Sequence, residues 1–132
     1  DCNHLPITHK DMTRFLLSLE QATDLIDWAY SSEYSHGKIA IPKIKALKVT
    51  DIADVLIRSF HMNVPLKYIG IRRGEKLHEE MISKEEWMRT EEHENFLIGN
   101  EYIRDEQKSY NSFDSLMDSS EALNFLKKSG VV

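Results

Sequence analysis

The sequence predicts a small mixed domain in which short strands alternate with helices, an α/β or α+β layer arrangement. Three observations predict it. Hydrophobic residues make up 41% and charged residues 30% of the 132 residues, a balance that suits one globular domain able to bury its own core. Segments of alternating apolar and polar residues follow segments of helical spacing along the chain. The strand-like segments are few, which points to strands that complete a larger sheet supplied by upstream sequence.

Taken in order, Leu5-Pro-Ile-Thr8 is short and apolar, and Thr13-Arg-Phe-Leu-Leu17 suits a strand. Ser18-Leu-Glu-Gln21 has the capping-box form and predicts a helix to about Ser31, with Leu19, Ala22, Ile26 and Ala29 as its apolar stripe. Lys38-Ile-Ala-Ile-Pro42 reads as a strand stopped by proline, and Lys43 to Lys48 as a basic connector. Thr50 is expected to cap the next helix, which buries Ile52, Val55, Leu56 and Phe60. Lys67 to Ile71 reads as a strand, and the segment from Glu75 to Met81 as an acidic helical turn. Ser83 and Glu86 form a second capping box, Glu91 to Glu94 a solvated acidic patch, and Asn95-Phe-Leu-Ile-Gly99 a short strand. Residues 100–118 are polar and read as a loop or extended arm. Ser119 or Ser120 is expected to cap a last helix, Glu121 to Lys128, stopped by Gly130.

The formal net charge of −5 argues against a nucleic-acid or anionic-membrane binder, since these need a basic face. It leaves room for a local anion site. The single cysteine, Cys2, cannot form an internal disulfide, which fits a reducing cytoplasmic setting. No apolar run approaches the roughly 18 residues of a membrane span. Asp1 to Pro6 has neither the basic leader nor the apolar core of a signal peptide, and the missing initiator methionine points to a cut into a longer polypeptide.

The chemistry concentrates in Lys67-Tyr-Ile-Gly-Ile-Arg-Arg-Gly-Glu-Lys-Leu-His-Glu-Glu-Met81. Arginine is permanently charged and forked, so Arg72 and Arg73 match a phosphate or carboxylate with paired hydrogen bonds. Gly74 allows a tight turn beside them, and Glu75 can accept hydrogen bonds from sugar hydroxyls. The alternative is a surface turn with two solvated arginines. Glu75 and Glu79 are like charges four apart, so something is expected to offset them: Arg72, Arg73 or a ligand's hydroxyls.

Other signals are weaker. Glu75-x-x-His78 has the spacing of a di-iron ligand pair, but there is no second copy on a long helix, so no metal site is expected. Tyr34-x-x-x-Lys38 has the spacing of a short-chain dehydrogenase catalytic pair, yet Gly37 and the serines make it a loop. There is no Gly-x-Gly-x-x-Gly, no phosphate loop and no nucleophile elbow, so the segment is expected to carry no catalytic and no cofactor-binding residues of its own.

Three spans together resemble one family. Pro6-Ile-Thr-His-Lys-Asp-Met-Thr-Arg-Phe15, Ile69 to Glu80, and Tyr110-Asn-Ser112 are similar to the C-terminal part of bacterial polysaccharide-biosynthesis dehydratases. These are UDP-N-acetylglucosamine 4,6-dehydratases of the extended short-chain dehydrogenase/reductase superfamily, including the inverting kind of the capsule and fucosamine pathways. The likeness runs from about Pro6 to the C-terminus.

The resemblance implies a small mixed α+β substrate domain over residues 1–132, with the Rossmann domain outside this chain. It implies an NAD or NADP cofactor held by that N-terminal domain, a UDP-sugar substrate, a homo-oligomer, and no nucleic-acid or membrane partner. The reaction it implies is hydride removal from C4, loss of water across C5 and C6, and hydride return to C6, a lyase chemistry with C5 inversion in one branch. Arg14 and Arg72 fall where the family has arginines facing the substrate diphosphate, and Glu75 where an acidic residue contacts the ribose. Thr13 and Lys76 lie in the same motifs, and Arg73 departs from the usual proline or histidine. Two other readings stay open: a domain of a UDP-N-acetylhexosamine 4-epimerase, and a non-catalytic interaction module whose acidic helices bind a basic protein.

Overall fold

The computed structural model describes residues 3–100 and 104–132. Cys2, Tyr102 and Ile103 lie outside the described residues. The elements run β1 (Leu5–Ile7), β2 (Thr13–Phe15), α1 (Leu19–Ser31), β3 (Ile39–Ile41), β4 (Ala46–Lys48), α2 (Val49–Ser59), β5 (Leu66–Tyr68), β6 (Glu80–Ile82), α3 (Lys84–Trp87), β7 (Thr90–Glu92), β8 (Phe96–Ile98), β9 (Tyr110–Asn111) and α4 (Ser119–Lys128). This is a small mixed α/β fold, as the alternation of patterns predicts. The chain divides into two compact units.

The first unit comprises Asp1–Leu16, Lys45–Glu79 and Ser112–Val132. In it β1 pairs in parallel with β5, Leu5 opposite Leu66 and Ile7 opposite Tyr68. β2 pairs antiparallel with β4, placing Arg14 opposite Leu47. Leu47, Ala122 and Leu126 form a buried cluster, with Leu16, Ile52, Val55, Met117, Phe125 and Val132 packed against it. The expected basic connector is therefore partly strand. Ala46 and Leu47 are buried, and an apolar pair flanked by lysines suits a strand with solvated edges.

Thr50 does not cap α2. β4 runs straight into the helix, Lys48 occupies the cap without a side-chain bond, and the Val49 N–H is satisfied by the Met12 carbonyl at 2.9 Å. Phe60 falls just past the helix end and is exposed, so Ala53 holds the buried position with Ile52 and Val55 beside it. The cap of α4 lies one residue before its serines: Asp118 accepts from the N–H groups of Ser120 and Glu121 at 2.8 Å each. Gly130, at φ +69°, closes the helix in the left-handed region, as expected of that glycine.

The second unit comprises Leu17–Ile44 and Glu80–Asn111. Its sheet has the order β3-β8-β7, antiparallel throughout. The central strand β8 is buried at all three positions. Ile82, Trp87, Phe96 and Ile98 form the core, with Ile41, Met81 and Tyr110 against them. Trp87 and Tyr110 each meet the Phe96 ring edge-on, at 5.5 and 5.2 Å between centroids. β6 pairs with β9, so residues 110–111 are strand within the stretch expected to be a loop or arm, while residues 104–109 have no regular structure. The Tyr110 hydroxyl accepts from the Ile44 N–H at 2.7 Å and donates to the Ile44 carbonyl; burial raises its pKa.

Both capping boxes form as expected, at Ser18 with Gln21 and at Ser83 with Glu86. Of the stripe expected to anchor α1, Ala22 and Ala29 are half-buried while Leu19 and Ile26 are not. Leu19 is 82% and Ile26 66% exposed, and the half-buried row is Ala22, Leu25, Trp28 and Ala29. Helical spacing offers both rows, and the one carrying the large indole is turned in.

The acidic patch is less solvated than its composition suggests. Glu91 lies 2.5 Å from the Lys38 ammonium and 3.2 Å from the His93 ring, and Glu92 lies 2.9 Å from Lys43. Hydrogen bonds from Lys38 and then His93 hold the Glu91 carboxyl below its ordinary pKa of 4.5. A carboxyl depressed in the folded state stabilises the fold above its unfolded pKa and loses that contribution as pH falls through the folded value. Glu91→Gln is therefore expected to flatten the fall of the thermal midpoint below pH 4.5. Melting curves of both proteins across that range check this, and parallel curves would contradict it.

Candidate functional site

All five residues singled out by the sequence fall in the first unit. β2 carries two of them on opposite faces, as strand alternation requires. Thr13 is fully buried and Arg14 partly so. The Thr13 N–H donates to the Leu77 carbonyl at 3.0 Å, which ties β2 to the segment after the arginine pair. The Thr13 hydroxyl meets His78 Nδ1 at 2.8 Å and the Ser112 hydroxyl at 2.6 Å.

The Arg14 guanidinium is held on one side. Nη1 donates to the Thr13 carbonyl at 2.7 Å and to the Leu77 carbonyl at 3.4 Å, and Nε lies 3.5 Å from the Glu79 carboxylate. Nη2 has no partner among the described residues. With Nη1 and Nε engaged, Nη2 is the nitrogen left to donate to a second anion.

Arg72 and Glu75 close a tight turn. The Glu75 N–H donates to the Arg72 carbonyl at 3.1 Å, and the Arg72 N–H donates to a Glu75 carboxylate oxygen at 2.9 Å. Gly74, third in this turn, has φ +84°, a conformation that costs other residues and is free for glycine. Arg72, Arg73 and Lys76 are exposed, and none has a side-chain partner among the described residues. The acidic helical turn expected from Glu75 onward does not form: residues 75–79 are irregular, and Glu80 enters β6. The like charges at 75 and 79 are offset separately, Glu75 by the Arg72 backbone and Glu79 by Arg14.

The structure thus binds Thr13 and Arg14 to residues 77–79, and joins Arg72 to Glu75 in one turn. Leu77, in contact with Arg14, is five residues beyond Arg72. Five residues of chain span at most about 17 Å, within the combined reach of two long side chains around a diphosphate. Three participants were not singled out as site residues: His78, Glu79 and Ser112. Glu79 and His78 were visible in the motif, and Ser112 in the Tyr-Asn-Ser likeness. Nothing local signals that Ser112 meets Thr13, since 99 positions separate them.

Tyr34 and Lys38 form no catalytic pair in this unit-two loop. The Tyr34 ring stacks on His93 at 4.9 Å, and Lys38 is engaged by Glu91. Among the described residues no group of three or more His, Cys, Asp or Glu side chains is set to hold a metal. A hollow of about 250 Å³ between α2 and α4, lined by Asp51, Asp54, Val55, Arg58, Ser119 and Leu123, contains none of the predicted residues.

A family model described as polysaccharide biosynthesis protein matches residues 1–101. The chain belongs to this polysaccharide biosynthesis family. A UDP-N-acetylglucosamine 4,6-dehydratase (inverting) from Campylobacter jejuni is 46% identical to this family member over 93 residues, covering 70% of the chain and 26% of the dehydratase. A UDP-glucose 4-epimerase from Rickettsia bellii is 38% identical over 99 residues, covering 74% of the chain and 27% of the epimerase. The X-ray structure of Pen from Bacillus thuringiensis superposes with a TM-score of 0.82 at 25% identity, covering 98% of the chain and 43% of Pen. The polysaccharide biosynthesis domain thus spans about a quarter of the length of these curated relatives. The likeness read from the three motif spans holds, and both curated relatives are enzymes named for UDP-sugars. No described helix is long and apolar enough to cross a membrane.

Proposed function

We propose that this domain binds and orients a UDP-N-acetylhexosamine for an NAD(P)-dependent 4,6-dehydratase of surface polysaccharide synthesis. The observation that carries the reading is the Arg14 guanidinium, fixed through Nη1 and Nε, in the same unit as Arg72; among the described residues neither Arg14 Nη2 nor the Arg72 guanidinium has a partner. Arg14 donates to the diphosphate through Nη2, and Arg72 meets it as a forked donor. Glu75 reaches the ribose hydroxyls once its carboxylate shares the Arg72 N–H, Lys76 adds charge at the rim, and buried Thr13 holds the strand that carries Arg14.

Binding of this kind converts diffuse encounter into a fixed approach of the hexose to the reacting groups. Those groups, and the nicotinamide, belong on this reading to the portion of the relatives that this chain does not span. The same reading places the enzyme in the cytoplasm as a homo-oligomer serving capsule or related polymers. The second reading, a 4-epimerase domain, is favoured by the Rickettsia relative and uses the same grip.

Titration of UDP, with uridine as the reference, tests the grip. UDP is expected to bind more tightly than uridine, and Arg72→Gln is expected to remove about tenfold of UDP affinity while leaving uridine unchanged. Equal affinities for UDP and uridine, or an unchanged UDP affinity in Arg72→Gln, would overturn the proposal.

A further inference from the structure

The contacts of Arg14 share a feature beyond the grip itself. Each group that touches its guanidinium is held by one buried hydroxyl cluster. Ser112 is fully buried, and its N–H donates to the Glu79 carbonyl at 2.8 Å while its hydroxyl accepts from the Glu79 N–H at 2.8 Å. This two-point clasp fixes the residue whose carboxylate meets Arg14 Nε. The same Ser112 hydroxyl meets the Thr13 hydroxyl at 2.6 Å. Thr13 supplies one carbonyl to Arg14 Nη1, and its own N–H holds the Leu77 carbonyl that Nη1 also reaches.

Proton accounting gives the cluster a direction. Ser112 accepts from the Glu79 N–H, so its own proton goes to the Thr13 oxygen at 2.6 Å in preference to the Thr13 carbonyl at 3.4 Å. The Thr13 proton is then available to His78 Nδ1 at 2.8 Å. With His78 in its Nε2–H tautomer, each of the two hydroxyls in this cluster donates once. Removing the Ser112 oxygen would leave the part-buried Glu79 N–H without this acceptor and unseat Thr13 together.

We propose that Ser112 is a positioning residue for Arg14, acting through Glu79 and Thr13 to aim the guanidinium. The geometric claim stands by itself, and only its effect on ligand binding rests on the diphosphate reading. The Nε–H proton signal of Arg14, followed by ¹⁵N-correlated NMR of this chain, reports the aim directly. It is expected to be narrow and slow to exchange in the parent protein, and to broaden or vanish in Ser112→Ala. Tyr110→Phe, which loosens the other unit, is the control for general destabilisation and is expected to leave the signal unchanged. Should Ser112→Ala fail to fold, the isosteric Ser112→Cys carries the same expectation with a smaller change.

UDP affinity is read on the same proteins. Ser112→Ala is expected to lose about fivefold in the parent background and less than about twofold when Arg14→Gln is already present. An Arg14 signal unchanged by Ser112→Ala or Ser112→Cys, or one lost equally in Tyr110→Phe, overturns the positioning role. A signal lost only at Ser112 with UDP affinity intact upholds positioning and removes the diphosphate reading instead.

Discussion

Arg14→Gln is expected to weaken UDP binding by about ten- to a hundredfold. A hydrogen bond to a charged group is worth roughly 1.5–3 kcal/mol, and about 1.4 kcal/mol is a factor of ten in affinity. Glutamine keeps a donor near the strand but loses the charge and the fork, which are what a diphosphate reads. The fold should tolerate the change. Glu79 is left without its cation, but its side chain is 42% exposed and water can replace the partner. The unfolding midpoint should therefore move little while affinity collapses. A UDP affinity within about twofold of the parent would remove Arg14 from the site.

Leu97→Ala is expected to cost about 2–5 kcal/mol of stability. Leu97 is fully buried at the centre of β8, between Ala40 of β3 and Glu91 of β7. Both faces of that strand are covered, so truncation leaves a void that three short strands cannot close. Ile26, equally apolar but 66% exposed, gives the contrast: its replacement should stay within about 0.5 kcal/mol. Denaturant unfolding followed by the fluorescence of Trp28 and Trp87, both in this unit, measures both. A Leu97→Ala loss below about 1 kcal/mol would show that β8 does not carry this unit's core.

Particular residues show how far the sequence could be read. β8 was legible because Phe96-Leu-Ile98 is a continuous apolar run, and such a run is a strand buried on both faces. α1 and α3 were legible because a capping box is a local bond pattern that needs no distant partner. The start of α2 was misplaced for a tertiary reason. Thr50 is a good cap in isolation, but the carbonyl of Met12, just before β2, already satisfies the Val49 N–H. The glutamates and lysine after Glu75 suggest a helical turn, whereas Glu80–Ile82 finds its partners in Tyr110–Asn111. For the site, Arg14 and Arg72 were visible as residue types in recognisable motifs. That Arg14 is braced by Glu79 and the buried Ser112 depended on pairings 65 and 99 positions apart, which no local pattern encodes.

The central claim is that Arg14 and Arg72 hold one diphosphate between them, and a double-mutant cycle on UDP affinity tests it most directly. Arg14→Gln, Arg72→Gln and the pair are each titrated with UDP. Two cations on one ligand group are expected to couple, so the paired loss should depart from the sum of the single losses by about 0.5–3 kcal/mol. Losses that add to within about 0.3 kcal/mol would mean that the two arginines act on separate groups, and would contradict the shared clamp.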